Sequence, residues 1–119
     1  MAQHNELGVL GEKLAAAHLQ NKGYDILEQN YTFQKAEVDI IAQHNNMVIC
    51  VEVKTRNSDF FGDPQEFVTA SKIKLLVKAM DAYMTENAID LECRFDIVAV
   101  LKNKNQEVIT HYEDAFYHF

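Results

Sequence analysis

Apolar residues recur along this chain with two different periods, and the switches between them mark out its elements. Over residues 6 to 21 the period is helical. Leu7, Leu10, Leu14 and Ala17 make one stripe, with Gly8, Ala15 and Leu19 beside it. Asn5 is placed to cap the start and Gly23 to end it. A strand over residues 24 to 33 follows. Residues 37 to 43 and 47 to 54 then read as two strands joined at His44-Asn45-Asn46, which tolerate a tight turn, so a hairpin is expected.

A loop over residues 55 to 62 comes next. Asp63-Pro64 followed by Glu66 has the form of a helix start, and Thr69 offers a second start just beyond it. Ile73, Leu76, Val77, Met80, Tyr83 and Met84 form one apolar face of a helix ending near Asn87. Residues 93 to 101 read as a strand, which Asn103-Lys104-Asn105 turns into a shorter one over 107 to 112. The tail carries Ala115, Phe116, Tyr117 and Phe119, aromatic enough to dock on the body. The order α-β-β-β-α-β-β, in a single domain over residues 1 to 119, predicts an α+β fold with helices flanking a mixed sheet.

The strand Val48-Ile49-Cys50-Val51-Glu52-Val53-Lys54 is apolar on both faces until its far end, as a central strand must be. Glu52 and Lys54 have the same parity and project from one face. Glu37 and Asp39 share a face of the preceding strand. A turn centred on Asn45-Asn46 sets Met47 opposite His44, Ile49 opposite Ala42 and Val51 opposite Ile40. Continued outward, it sets Glu52 opposite Asp39 and Lys54 opposite Glu37. Opposed Cβ atoms lie only ~5 Å apart. Two carboxylates so close beside a core repel, and one is pushed towards its protonated form. A divalent cation removes the conflict, since hard oxygen ligands suit Mg²⁺. Lys54, one pleat along, would hold a phosphate oxygen or orient an attacking water. The spacing points to metal-assisted phosphodiester hydrolysis. The alternative is plain: two partly exposed strand-end acids, with Lys54 pairing Glu37 or Glu52.

Composition adjusts this picture. Hydrophobic residues make up 48% of the 119, ordinary for a globular domain. The formal charge of -7 runs against a nucleic-acid surface, which then needs a local basic patch or bound cations. Cys50 and Cys93 sit in apolar runs without metal-ligand spacing; a disulfide between them is open but unnecessary, and the pattern suits free thiols in a reducing compartment. No signal-like start and no apolar run of membrane length is visible, so a soluble cytoplasmic protein is expected. The glycines Gly8, Gly11, Gly23 and Gly62 build no phosphate loop. No Ser or Cys stands in a nucleophile context. His4, His18, His44, His111 and His118 are scattered, and none reads as catalytic.

Asp39 followed after a short hairpin by Glu52-Val53-Lys54 resembles the signature of the PD-(D/E)XK nuclease superfamily. More narrowly, four pieces resemble the YraN family of small bacterial proteins related to Holliday junction resolvases. They are Gly11-Glu12, Glu37-Val38-Asp39-Ile40-Ile41, Val51-Glu52-Val53-Lys54-Thr55-Arg56 and Arg94-Phe95-Asp96. Gly23-Tyr24, Asn30 and Phe61-Gly62 also fit, and the likeness spans about residues 8 to 100. One departure is Ala36, where that family usually carries Gly. The resemblance implies an αβββαβ core of restriction-endonuclease-like type and Mg²⁺ or Mn²⁺ nuclease chemistry on DNA. It also implies a possible homodimer. It makes Glu12 a further metal or water ligand, the lesser alternative being a solvated helix-edge charge. Thr55 and Arg56, directly after Lys54, are candidate phosphate contacts or equally loop-edge groups, and the resemblance adds Lys72. Lys74 and Lys78 read as a solvated face, and Arg94 with Asp96 as support for the site. The rival reading is a nucleic-acid-binding module of the same fold that does not cut. An assembly role through the aromatic tail ranks third.

Overall fold

The computed structural model describes residues 6–58 and 67–116. Helix α1 (Glu6–Asn21) is followed by β1 (Asp25–Phe33), β2 (Ala36–His44) and β3 (Met47–Arg56). Helix α2 (Ala70–Glu86), β4 (Glu92–Lys102) and β5 (Glu107–Tyr112) complete the chain. The expected α+β order is therefore the observed one. The strands form one mixed sheet in the order β1-β2-β3-β4-β5, with only β3 and β4 parallel. The arrangement is compatible with a restriction-endonuclease-like fold.

Each helix covers one face. On the α1 side lie Ile40, Ala42, Ile49, Val51, Val98 and Val100; on the α2 side lie Ile41, Val48, Cys50, Phe95 and Ile97. Val48 to Val51 are fully buried, which makes β3 the centre of the sheet. Each large aliphatic side chain so removed from water contributes roughly 1.5–3 kcal/mol.

Local chemistry explains the boundaries. Asn45 and Asn46 both take positive φ (51° and 61°), and the His44↔Met47 pair closes the expected hairpin. Gly23 (φ 92°) ends α1, with Tyr24 N–H on the Leu19 carbonyl and Gly23 N–H on that of Gln20. Thr69 caps α2, its hydroxyl accepting the Lys72 N–H. The Asp63-Pro64 start and the Phe61-Gly62 loop lie outside the described residues. Ala36 enters β2 with negative φ; the left-handed residue of that turn is Gln34 (φ 55°).

Three expectations change. The buried face of α1 is Gly11, Ala15, Ala16 and Leu19, whereas Leu10 is exposed. The helix lies so close to the sheet that small residues face it. A Cβ on Gly11 would stand 2.0 Å from Oγ1 of Thr55. Thr55 and Arg56 are not loop: they extend β3 and pair with Val100 and Leu101. Lastly, the β2–β3 ladder ends at Ile40↔Val51, so Asp39 and Glu37 are not ladder partners of Glu52 and Lys54.

Cys50 and Cys93 are free thiols, and Phe116 of the tail docks against Phe95 with ring centroids 5.4 Å apart. Tyr117 and Phe119 lie outside the described residues. Among the described residues, no helix is long and apolar enough to cross a membrane.

Candidate functional site

The site begins where β2 parts from β3. Beyond Ile40 the strand follows β1 alone, through Val38, Glu37 and Ala36. Side-chain alternation slips by one place there. Ala36 and Val38 pack on the α2 side, yet Ile40 and Ala42 pack on the α1 side. Asp39 stands at the slip. Its Oδ2 accepts the backbone N–H of Val53 at 2.8 Å, replacing the carbonyl that a continued ladder would have supplied.

Glu52 is 5% exposed and shares the α2 side with Cys50. Its Oε2 accepts Nζ of Lys72, from the first turn of α2, at 2.5 Å. A cleft of about 390 Å³ opens alongside, lined by Glu37, Asp39, Ser71 and Lys72 among others.

The electrostatics follow from this crowding. Burial, then the charge of Glu52, pushes the Asp39 carboxyl up to about 8, against the Val53 N–H; Glu12 adds to the rise and Lys72 opposes it. Burial works against the Lys72 charge, but the hydrogen bond and attraction of Glu52 outweigh it and hold the ammonium above its ordinary value. Partial burial, with Arg56 and Lys72 close by, holds the Lys54 amine below its ordinary value, while Glu52 and Asp39 act the other way.

Among the described residues, no three His, Cys, Asp or Glu side chains converge as a ready-made metal cage. What converges is two carboxylates and a lysine. The two carboxylates supply the hard oxygen ligands that a small divalent cation takes, while the lysine competes for the same charge. The ammonium seated on Glu52 shows that the place already recruits positive charge.

Residues 11–100 match the model of a family described as "Uncharacterised protein family UPF0102". This chain belongs to the UPF0102 family. It is 60% identical over 119 residues to a UPF0102 protein of Flavobacterium psychrophilum, all of both chains being covered. A UPF0102 protein of Phocaeicola vulgatus is 44% identical over 117 residues, covering 98% of this chain and 97% of the relative. One of Chlorobium chlorochromatii is 42% identical, covering 94% and 92%. The family match takes in Glu12, Asp39, Glu52 and Lys54, and also Lys72.

In this UPF0102 chain the remaining candidates divide. Glu12 is half-buried on α1, and its charge reaches Asp39. Arg56 is exposed at the end of β3, its Nη1 donating to the Thr55 carbonyl at 2.9 Å. Thr55 is turned to α1, where it packs against Gly11, away from the face that carries Glu52. Lys74 and Lys78 are exposed, as a solvated face would be.

Arg94 and Asp96 meet each other rather than the acid pair. Asp96 is fully buried on the α1 side and accepts two bonds from Arg94 at 2.8 Å. The Asp114 N–H reaches it at 2.9 Å, and His111 Nε2 lies 2.7 Å away. Burial alone would raise its carboxyl, but bonds from His111, Arg94 and the Asp114 N–H outweigh it and hold it below the ordinary range. Arg94 also donates to the Tyr24 hydroxyl, and Tyr24 stacks on His44 at 4.1 Å. This network ties the end of α1 to β4 and β5.

Sequence reasoning placed Lys72 beside a substrate backbone and missed its partner, Glu52. One signal was available. The first turn of α2 holds a lysine and no acid, which is the wrong charge for the positive end of a helix. A cation kept there is held by something other than its own helix.

Proposed function

We propose that this UPF0102 protein is a divalent-metal-dependent endonuclease that hydrolyses DNA phosphodiester bonds, acting on branched or otherwise unusual structures. The observation that carries the reading is the crowding of Asp39 and Glu52, two buried acids that feel each other's charge, at the split between β2 and β3, with Lys72 on Glu52 and Lys54 one pleat beyond. Buried like charges raise the free energy of the fold, and a cation-binding role accounts for keeping them together. The resemblance of Asp39 and Glu52-Val53-Lys54 to the PD-(D/E)XK signature supports the same reading.

Asp39 and Glu52 would hold Mg²⁺ or Mn²⁺, with Glu12 assisting from α1 through a water. A divalent cation held there would supply Lewis acidity toward the phosphoryl group and an attacking water. Lys54 orients that water or steadies charge building on the phosphate oxygens. Its side chain lies within reach of the charges of both carboxylates. Arg56 and Lys72 grip the backbone on the rim; the Thr55 hydroxyl, turned to Gly11 of α1, takes no part. The deciding assay uses purified protein with Mg²⁺ or Mn²⁺ against duplex, single-stranded, flap and four-way junction DNA. Cleavage that requires metal and is lost in both Asp39→Ala and Lys54→Ala supports the assignment. Full metal-dependent activity in either variant refutes it.

A second reading has one observation in its favour. The net charge of -7 is poorly suited to a phosphate backbone, and a module that binds without cutting would share the fold. Calorimetric titration with Mn²⁺ separates the two, since such a module has no need to bind metal at Asp39.

A further inference from the structure

Lys72 combines features that seldom occur together. Its ammonium lies 2.5 Å from Glu52, yet its side chain is 44% exposed while that of Glu52 is 6% exposed. The carboxylate is fixed and desolvated; the lysine stem reaches it from an open cleft. Lys72 also sits in the first turn of α2, just beyond the Thr69 cap, where the helix dipole repels a cation. Thus the pull on this ammonium comes from Glu52 first, then Asp39 and Glu37. Anything that neutralises those acids removes its reason to stay.

We propose that Lys72 is an exchangeable cation of the acid pair: it neutralises Glu52 until a divalent cation takes over that carboxylate, and then turns outward to meet a DNA phosphate. The proposal rests on the metal-nuclease reading above and adds an order to it. Metal loading comes first and frees the phosphate grip. A lysine stem is long enough for such a swing, because its four methylenes pivot about a helix position that stays put. An open cleft leaves the swing unobstructed.

Direct competition makes two quantities move in opposite directions. In Lys72→Met the stem remains and the competitor is gone. Mn²⁺ binding, measured by calorimetry, should tighten by about tenfold, the scale on which one adjacent charge shifts a carboxylate equilibrium. DNA binding should weaken, and its salt dependence should lose about one phosphate contact. That loss should appear in Ca²⁺, where DNA is held uncut, and vanish in EDTA, where Lys72 is still on Glu52. In the unaltered protein, ¹⁵N-lysine spectra should show the Lys72 Nζ resonance of the ion pair disappearing as Mg²⁺ is added.

Unchanged or weaker Mn²⁺ binding in Lys72→Met overturns the proposal, as does a salt-slope change equal in Ca²⁺ and EDTA. So does an Nζ resonance that persists at saturating Mg²⁺. If the exchange is seen but no DNA is cut, the exchange stands and the nuclease reading falls. If cleavage is intact and metal affinity ignores Lys72, the reverse holds. If neither protein binds Mn²⁺, both fall together.

Discussion

One carboxylate oxygen of Asp39 accepts the backbone N–H of Val53 at 2.8 Å, at the point where β2 leaves β3. The bond has two effects. It satisfies a backbone donor that strand separation would otherwise orphan, and it fixes the acid beside Glu52. Separating these effects requires a variant that keeps the acceptor and discards the charge, which is Asp39→Asn.

The Asp39 carboxyl is raised from 3.8 to about 8. Between those values the folded state binds a proton that the unfolded chain has released. Stability therefore falls as pH rises across that window. Asp39→Asn removes the ionisation, so its thermal midpoint should stay flat from about pH 4 to 8 while that of the unaltered protein declines. Mn²⁺ should restore the unaltered protein most strongly at the alkaline end, and EDTA should reverse the gain. Calorimetric melts across the range check this; parallel declines in the two proteins would show that Asp39 is not the titrating group.

Lys54 shares its sheet face with Glu52 and lies within reach of both acids' charges. Replacing it with Met removes a positive group from beside the acid pair while leaving an apolar stem on β3. Cleavage should fall by about 10²–10³-fold, the usual effect of losing one such electrostatic contact. Mn²⁺ affinity should not weaken, because an ammonium competes with metal rather than binding it. Single-turnover cleavage and calorimetry on the same preparation test both halves.

Much of this was legible before any coordinates. Asn45-Asn46 announced a tight turn, and that turn, with positive φ at both residues, set the register as far as Ile40↔Val51. Two-sided apolarity placed β3 in the middle, and Thr69 marked the true start of α2. What sequence missed depends on distance in the chain. The largest side chains of α1 suggested Leu10 as core, but close approach to Thr55 selects Gly11 and Ala15 instead. Thr55 and Arg56 looked like loop because their strand partners, Val100 and Leu101, come far later. The parting of β2 from β3 is a side-chain event at Asp39, invisible to a period-two count.

Asp96 supplies a prediction about the other face of the sheet. It is fully buried, and Arg94, His111 and the Asp114 N–H all bond it. Asp96→Asn leaves Arg94 with a buried, half-compensated charge, a loss of roughly 3–5 kcal/mol by comparison with other broken buried pairs. Because the Asp96 carboxyl is depressed, its contribution is present above the ordinary carboxylate pKa and fades as pH falls through its own lower value. The gap between variant and parent should thus narrow in acid. Urea melts at neutral and acidic pH measure it; a gap that widened in acid would contradict the network.

Gly11 connects packing to chemistry. Its neighbour Glu12 contributes charge to Asp39 only while α1 lies close on the sheet. A methyl at residue 11 would stand 2.0 Å from Oγ1 and 2.9 Å from Cβ of Thr55, whose strand is paired with β4 and cannot retreat cheaply. Gly11→Ala gains ~1 kcal/mol of helix propensity. The clash is of the kind that costs about 1–3 kcal/mol in a packed interior. Net destabilisation is expected, together with weaker Mn²⁺ binding as α1 and Glu12 are pushed outward. Thr55→Ala in the same chain removes Oγ1 and Cγ2 but not Cβ, so it should recover part of both losses. Recovery of stability without recovery of metal affinity would separate Glu12 from the site and assign it to the solvated edge of the helix.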